Sequence, residues 1–254
     1  MVEASNVSVL FSAIFFFFVG VWIVSGALHA DLHIVQRSVM KKRIEYSMFV
    51  CLYVCFFSCL FNCMQFGEQD DIVLSHIDAR DDVILDLGRP IEWILTCPLM
   101  QLVLPVIGGE KVPDYRRWTM PMNAFVVLCF GLCASLQTDQ IFKLGFYFCG
   151  VTCFCVMLHQ MNRVIVESTG GEENLFMGKS MVRTLTVIVA LTWIPFPIWY
   201  ALSPEGFNVI RNSAAMKISV AFLNVFSKGA FIFYINRVRA DIEVREQAMN
   251  QVKM

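Results

Sequence analysis

Seven stretches of this chain are long and apolar enough to leave water, and they constrain its fold more than any other feature. A helix that crosses the hydrocarbon core of a bilayer needs about 20 mostly apolar residues, since it rises about 1.5 Å per residue through about 30 Å of hydrocarbon. Residues 7–28, 47–66, 91–107, 119–136, 141–162, 182–202 and 214–236 meet that demand. No water is available inside a bilayer to satisfy backbone N–H and C=O groups, so each stretch must close its hydrogen bonds internally. The expected fold is therefore all-α, a bundle of seven transmembrane helices. The first stretch lies near Met1, but it lacks a basic leader and is long, so it reads as a true span and not a signal peptide. Composition agrees, with 57% hydrophobic and 16% charged residues in a chain of 254.

The charges matter by position. Arg37, Lys41, Lys42 and Arg43 lie between the first two spans, Lys111, Arg116 and Arg117 between the third and fourth, and Arg237 and Arg239 after the seventh. Basic loops stay on the cytoplasmic side, so these ends are expected inside, with the N-terminus extracellular and the C-terminus cytoplasmic. The acidic loop holding Glu68, Asp70, Asp71, Asp78, Asp81, Asp82 and Asp86 falls on the opposite face. Gly170 and Gly171 beside Glu172 and Glu173 read as a flexible cytoplasmic loop. One domain, residues 1–236, is expected, followed by a cytoplasmic helical tail over 237–254 whose apolar stripe of Ile242, Met249 and Val252 is too thin for a coiled coil. The implied protein is integral and multi-pass, in the plasma membrane, with lipid and small ions as partners. A net charge of −1 leaves no footprint for nucleic acid. All ten cysteines fall within apolar runs and read as small packing residues, with no spacing that suggests zinc, so no metal is expected.

A lysine in the middle of a membrane helix is costly and calls for a function. Lys228 has about two turns of apolar residues on either side, within AFLNVFSKGAFIFY. Burial favours its neutral amine, the form that condenses with an aldehyde to anchor a cofactor. A cation fixed there needs a counter-charge, and Glu92 is the carboxylate lying well inside a span. Arg89, three residues earlier on the same helical face, keeps that acid ionised.

Three motifs then converge. Residues 89–98 read Arg-Pro-Ile-Glu-Trp-Ile-Leu-Thr-Cys-Pro, residues 193–197 read Trp-Ile-Pro-Phe-Pro, and residues 224–228 read Asn-Val-Phe-Ser-Lys. In this order, on the third, sixth and seventh spans, they resemble the microbial (type 1) rhodopsins, and the resemblance covers essentially the whole chain. It implies all-trans retinal bound as a Schiff base to Lys228, with Glu92 as counterion and proton acceptor and Arg89 beside it. Trp93 and Trp193 would sandwich the polyene, Phe196 and Pro197 would line the sixth-helix side, and Gly131 and Cys133 would border the ring. Thr96, Cys97, Asn224 and Ser227 complete the implied set, and Glu205 stands where related pumps have an extracellular proton-release acid. Dimers or trimers are common in this family.

The sequence also departs from the family pattern. Asn224 occupies the place, four residues before the lysine, where many relatives carry a second carboxylate; an amide there hydrogen-bonds but cannot neutralise. Val103 stands eleven residues after Glu92, where outward proton pumps carry an acid, and the nearest polar group, Gln101, cannot donate a proton at neutral pH. Cys97, in threonine-cysteine-proline, resembles channelrhodopsins and enzyme-linked rhodopsin domains. Its usual aspartate partner is not evident on the fourth helix, where Asn123 is the nearest polar candidate. The leading expectation is therefore a light-gated ion channel. The alternatives are a sensory photoreceptor signalling through its tail and, with less support because of Val103, a proton pump. No constellation of nucleophile, base and oxyanion donors suggests an enzyme.

Overall fold

The computed structural model describes residues 2–30, 39–67, 71–74 and 83–252. Arg37, Glu68, Asp70, Asp78, Asp81 and Asp82 lie outside the described residues. Eight helices are present among them: α1 Val2–Ala30, α2 Val39–Phe66, α3 Gly88–Gly108, α4 Arg116–Leu136, α5 Gln140–Thr169, α6 Met181–Trp193, α7 Pro195–Leu202 and α8 Ser213–Val252. They form seven spans long and apolar enough to cross a membrane, with α6 and α7 sharing the sixth. The loop read as merely acidic also carries a small antiparallel hairpin, β1 Asp71–Leu74 and β2 Val83–Asp86, with Asp71 opposite Asp86.

The helices close a ring in which each packs on the next: α1 on α2, α2 on α3, α3 on α4, α4 on α5, α5 on α6, α6 on α8, and α8 back on α1 and α2. Only α3 also reaches across to both α5 and α6, which makes it the central stave and brings Glu92 inside the bundle. Local signals set several ends. Asp139 caps α5, its Oδ1 accepting from Ile141 N at 2.7 Å and Phe142 N at 3.2 Å, and Ser180 caps α6 by accepting from Arg183 N at 3.2 Å. Gly170 ends α5 with φ 70°, a left-handed turn that costs glycine nothing.

The sixth span, read from sequence as one unbroken helix, is divided at Ile194. Pro195 and Pro197 have no N–H to give to the carbonyls one turn earlier, so α6 stops at Trp193 and α7 restarts at Pro195. Other helices outrun their apolar stretches: α5 continues to Thr169, and α8 runs unbroken for 40 residues, about 60 Å at 1.5 Å per residue. Hydropathy ends at the membrane, but helix propensity does not. Arg239 ties this end of α8 to α1 by donating to the Gly26 carbonyl, and it also donates to Glu243 Oε1 at 2.9 Å.

The two halves of the core differ in chemistry. Toward the end carrying Arg43 and Arg116, the bundle core is a largely apolar plug of Met100, Val103, Leu104, Met161, Leu185 and Phe231, all fully buried, with Gln101 and Thr186 as polar side chains buried among them. Toward the hairpin, the buried groups are polar: Asn62, Gln65, Arg89, Glu92 and Asn224. Lys228 sits where the two meet.

Candidate functional site

Three helices build the polar centre. From α8, Lys228 Nζ donates to Glu92 Oε1 of α3 at 2.5 Å and to Ser58 Oγ of α2 at 2.9 Å. Lys228 and Glu92 side chains are 2% and 0% exposed, so the pair is as dry as the bundle permits. Glu92 is also held by Arg89 Nη1 at 3.2 Å and by Asn224 Nδ2, at 3.0 Å to Oε1 and 3.3 Å to Oε2. Asn224 Oδ1 in turn accepts from Trp93 Nε1 at 3.2 Å. The amide that replaces a second acid therefore orients the remaining one and ties it to the tryptophan.

Arg89 is the second hub. Besides Glu92 it donates to Asn62 Oδ1 at 3.2 Å and to Gln65 Oε1, both on α2. Asn62 Nδ2 donates to the Ser58 carbonyl at 2.6 Å. The result is a closed circuit through Lys228, Ser58, Asn62, Arg89 and Glu92. Ser58, Asn62 and Gln65 were not singled out as site residues from sequence. Their spacing of four and three along α2 puts them on one face, but so do the cysteines around them, and small polar residues in a membrane helix are ordinary packing.

Beside this centre, α3 to α8 line an apolar cavity, with Met216 and Val220 contributed by α8. Trp93, Gly131, Trp193, Phe196 and Pro197 are among the residues that line it. Cys133 does not; Leu132 and Ser135 hold the fourth-helix wall beyond Gly131, because Cys133 is rotated away from that face. Trp93 meets Phe196 edge-on with ring centroids 4.9 Å apart. The far wall, from α5, is Tyr147, Gly150, Phe154 and Met157, with Tyr147 stacked on Tyr200 at 5.8 Å. None of these α5 residues belongs to a motif, and aromatics in a membrane helix are normally packing. Arg89 and Glu205 reach the cavity at its hairpin end. The Glu205 backbone carbonyl accepts from buried Lys143 Nζ at 3.1 Å.

The remaining expected residues support the backbone. Thr96 Oγ1 donates to the Glu92 carbonyl at 2.7 Å, and Ser227 Oγ to the Asn224 carbonyl at 3.2 Å. Cys97 is partly buried against the core. Asn123 donates to the Cys153 carbonyl at 3.2 Å, so it bridges α4 to α5. Among the described residues, no group of His, Cys, Asp and Glu is placed to hold a metal ion.

A seven-span bundle with a buried lysine–carboxylate pair beside an aromatic-lined cavity defines the retinal-binding class of membrane proteins. The residues fit that group: tryptophan, phenylalanine and proline walls suit a polyene, and a Cβ built on Gly131 would meet nothing within 4 Å, so the cavity is open there. Residues 7–242 match the family described as bacteriorhodopsin-like protein, and the chain belongs to that family, the microbial rhodopsins. It is an integral multi-pass membrane protein that binds retinal through a lysine Schiff base.

Halorhodopsin of Halobacterium salinarum (strain ATCC 29341 / DSM 671 / R1) is 26% identical over 173 residues, covering 66% of this chain and 60% of that protein. The matched segment thus spans about three fifths of that relative's length. Among solved structures, halorhodopsin, a light-driven chloride pump, superposes with a TM-score of 0.79 at 19% identity, covering 94% of this chain and 96% of that one. The light-driven proton pump rhodopsin of Coccomyxa subellipsoidea gives a TM-score of 0.76 at 18% identity, covering 92% and 96%. At such identities the likeness speaks for the fold. These solved relatives are pumps, whereas the expected likeness to channels rests on residues 96–98.

Proposed function

We propose that this chain is a light-gated ion channel in which Lys228 carries the retinal and Glu92 receives the proton held at Lys228 Nζ. Retinal, when bound, supplies the light-driven isomerisation. The chain's own residues supply the rest.

The carrying observation is the file of buried polar side chains on α2, Ser58, Asn62 and Gln65, facing Arg89 and Glu92 of α3 and Lys228 of α8. Glu92 pins this three-helix junction through its charge, at 2.5 Å to Lys228 and 3.2 Å to Arg89. Once the proton has moved, Lys228 Nζ and Glu92 are both neutral, Glu92 attracts Arg89 less strongly, and the junction loosens where it is already polar. Water and ions then have a path from the hairpin end to the largely apolar plug, whose opening completes conduction.

Two features bear on the rivals. Val103 and its neighbours leave the plug without a carboxylic acid, so a pump would have no internal group to return the proton. Glu92 weighs against chloride translocation, because an anion beside the amine would have to share the place with a carboxylate. An outward proton pump is the second reading, favoured by the pumps among the solved relatives. An extracellular N-terminus, a cytoplasmic tail over 237–254 and homo-oligomeric assembly belong to the same proposal.

Voltage clamp of cells expressing the chain with retinal separates these readings. A photocurrent that reverses with the ionic gradient is the expected result. A current that keeps its sign across voltages would establish the pump. Bound pigment without current would leave signalling through the tail.

A further inference from the structure

We propose that Ser58 is a positioning residue for the Lys228 amine, holding its charged form against α2 as a second arm of the counterion complex. This rests on the assignment of Lys228 as the retinal linkage. Ser58 is fully buried, and its Oγ accepts from Lys228 Nζ at 2.9 Å, on a different helix from Glu92. Its carbonyl accepts from Asn62 at 2.6 Å, and Asn62 is in turn held by Arg89 at 3.2 Å. The serine is thus fixed from its backbone side by the arginine that holds Glu92, and both arms on the amine share one frame.

The surroundings leave this role to Ser58. From α3, Glu92 contacts the amine at 2.5 Å, and Arg89 and Cys97 stand behind it. From α2, Cys55 is the titratable neighbour, a buried thiol and as such only a weak acceptor. From α1 comes the Phe16 ring, whose centroid is 6.0 Å from Nζ. The titratable groups of α6 and α7, Arg183 and Tyr200, are engaged with the Asn174 carbonyl and Tyr147. A hydroxyl accepting from an ammonium favours the charged amine, whereas condensation with an aldehyde needs the neutral one. Ser58 therefore sets how readily Lys228 takes up its cofactor, a role that cannot be read from α8 alone.

The test uses retinal-free protein in lipid nanodiscs. Lys228 is trapped with acetaldehyde and cyanoborohydride across a pH series, and the modified peptide is quantified by mass spectrometry. Ser58→Ala is expected to displace the rate profile by about one pH unit toward acid, the tenfold effect of one hydrogen bond to a charged group, with the alkaline plateau unchanged. Ser58→Thr, which keeps the hydroxyl, is expected to restore the parent profile. A Ser58→Ala profile that superposes on the parent, or a rate raised equally at every pH as simple loosening would produce, overturns the proposal. Failure of the linkage assignment looks different: Lys228→Ala protein would still colour with retinal.

Discussion

Glu92→Gln tests whether the buried circuit is held by charge. In the parent, one carboxylate compensates two cations, Lys228 at 2.5 Å and Arg89 at 3.2 Å, and the carboxylate is fully buried. The amide that replaces it keeps much of the shape and can still hydrogen-bond, but leaves both cations without their anion. Removing one partner of a buried pair typically costs about 3–5 kcal/mol, most of it the penalty of a stranded charge. For a chain of this size each kcal/mol moves an apparent midpoint by about 2–4 °C, so retinal-free Glu92→Gln protein should melt about 6–20 °C lower. Cys51 and Cys55 are fully buried on α2, so their labelling by a thiol reagent during heating, read on their own peptide apart from exposed Cys63, Cys149 and Cys155, reports opening of this junction. The double variant Glu92→Gln/Lys228→Met removes one stranded charge along with its partner and should recover most of the loss. A midpoint within about 2 °C of the parent for the single variant, or a double variant that falls by the sum of two independent losses, would refute the reasoning.

Acidifying the pigment should shift its absorption to longer wavelength as Glu92 protonates, because the negative charge facing the amine disappears. Glu92→Gln should be red-shifted at every pH and show no such transition; a transition that persists in that variant would place the titrating group elsewhere. In the connection between α5 and α6, the Glu173 carboxylate accepts from Ser180 N at 3.0 Å and Lys179 N at 2.9 Å, and hydrogen bonding from Ser180 and Lys179 holds it below the usual carboxylate range. A depressed folded-state value means the order it confers is present above the unfolded value of about 4.3 and is lost as pH falls through the folded one. Amide exchange at Lys179 and Ser180, corrected for its intrinsic pH dependence, should therefore accelerate in acid in the parent and be fast at all pH in Glu173→Gln.

Much of the site was legible because it lies within single helices. Arg89 and Glu92 are three apart, Asn224 and Lys228 four apart, and both spacings place side chains on one face. The seven spans were legible from hydropathy, and Lys228 from the cost of a buried charge. What escaped is non-local. Ser58 meets Lys228 across 170 positions of sequence, and nothing in a run of cysteines and aromatics distinguishes it from packing. The α5 wall of the cavity has the same problem, since Tyr147 and Phe154 become cavity lining only when α5 faces α3. Cys133 was expected beside Gly131 from the family resemblance, but two residues along a helix turn a side chain by about 200°. The break at Ile194 was latent in Pro195 and Pro197, whose missing N–H groups matter more to the helix than the apolar character they share with their neighbours.

The central claim is that retinal sits on Lys228. Borohydride reduction of the illuminated pigment, followed by digestion and mass spectrometry, should find the retinyl group on the peptide containing Lys228, and Lys228→Ala should be colourless with retinal. A retinyl group on another lysine, or visible absorption that survives in Lys228→Ala without added amine, would contradict it.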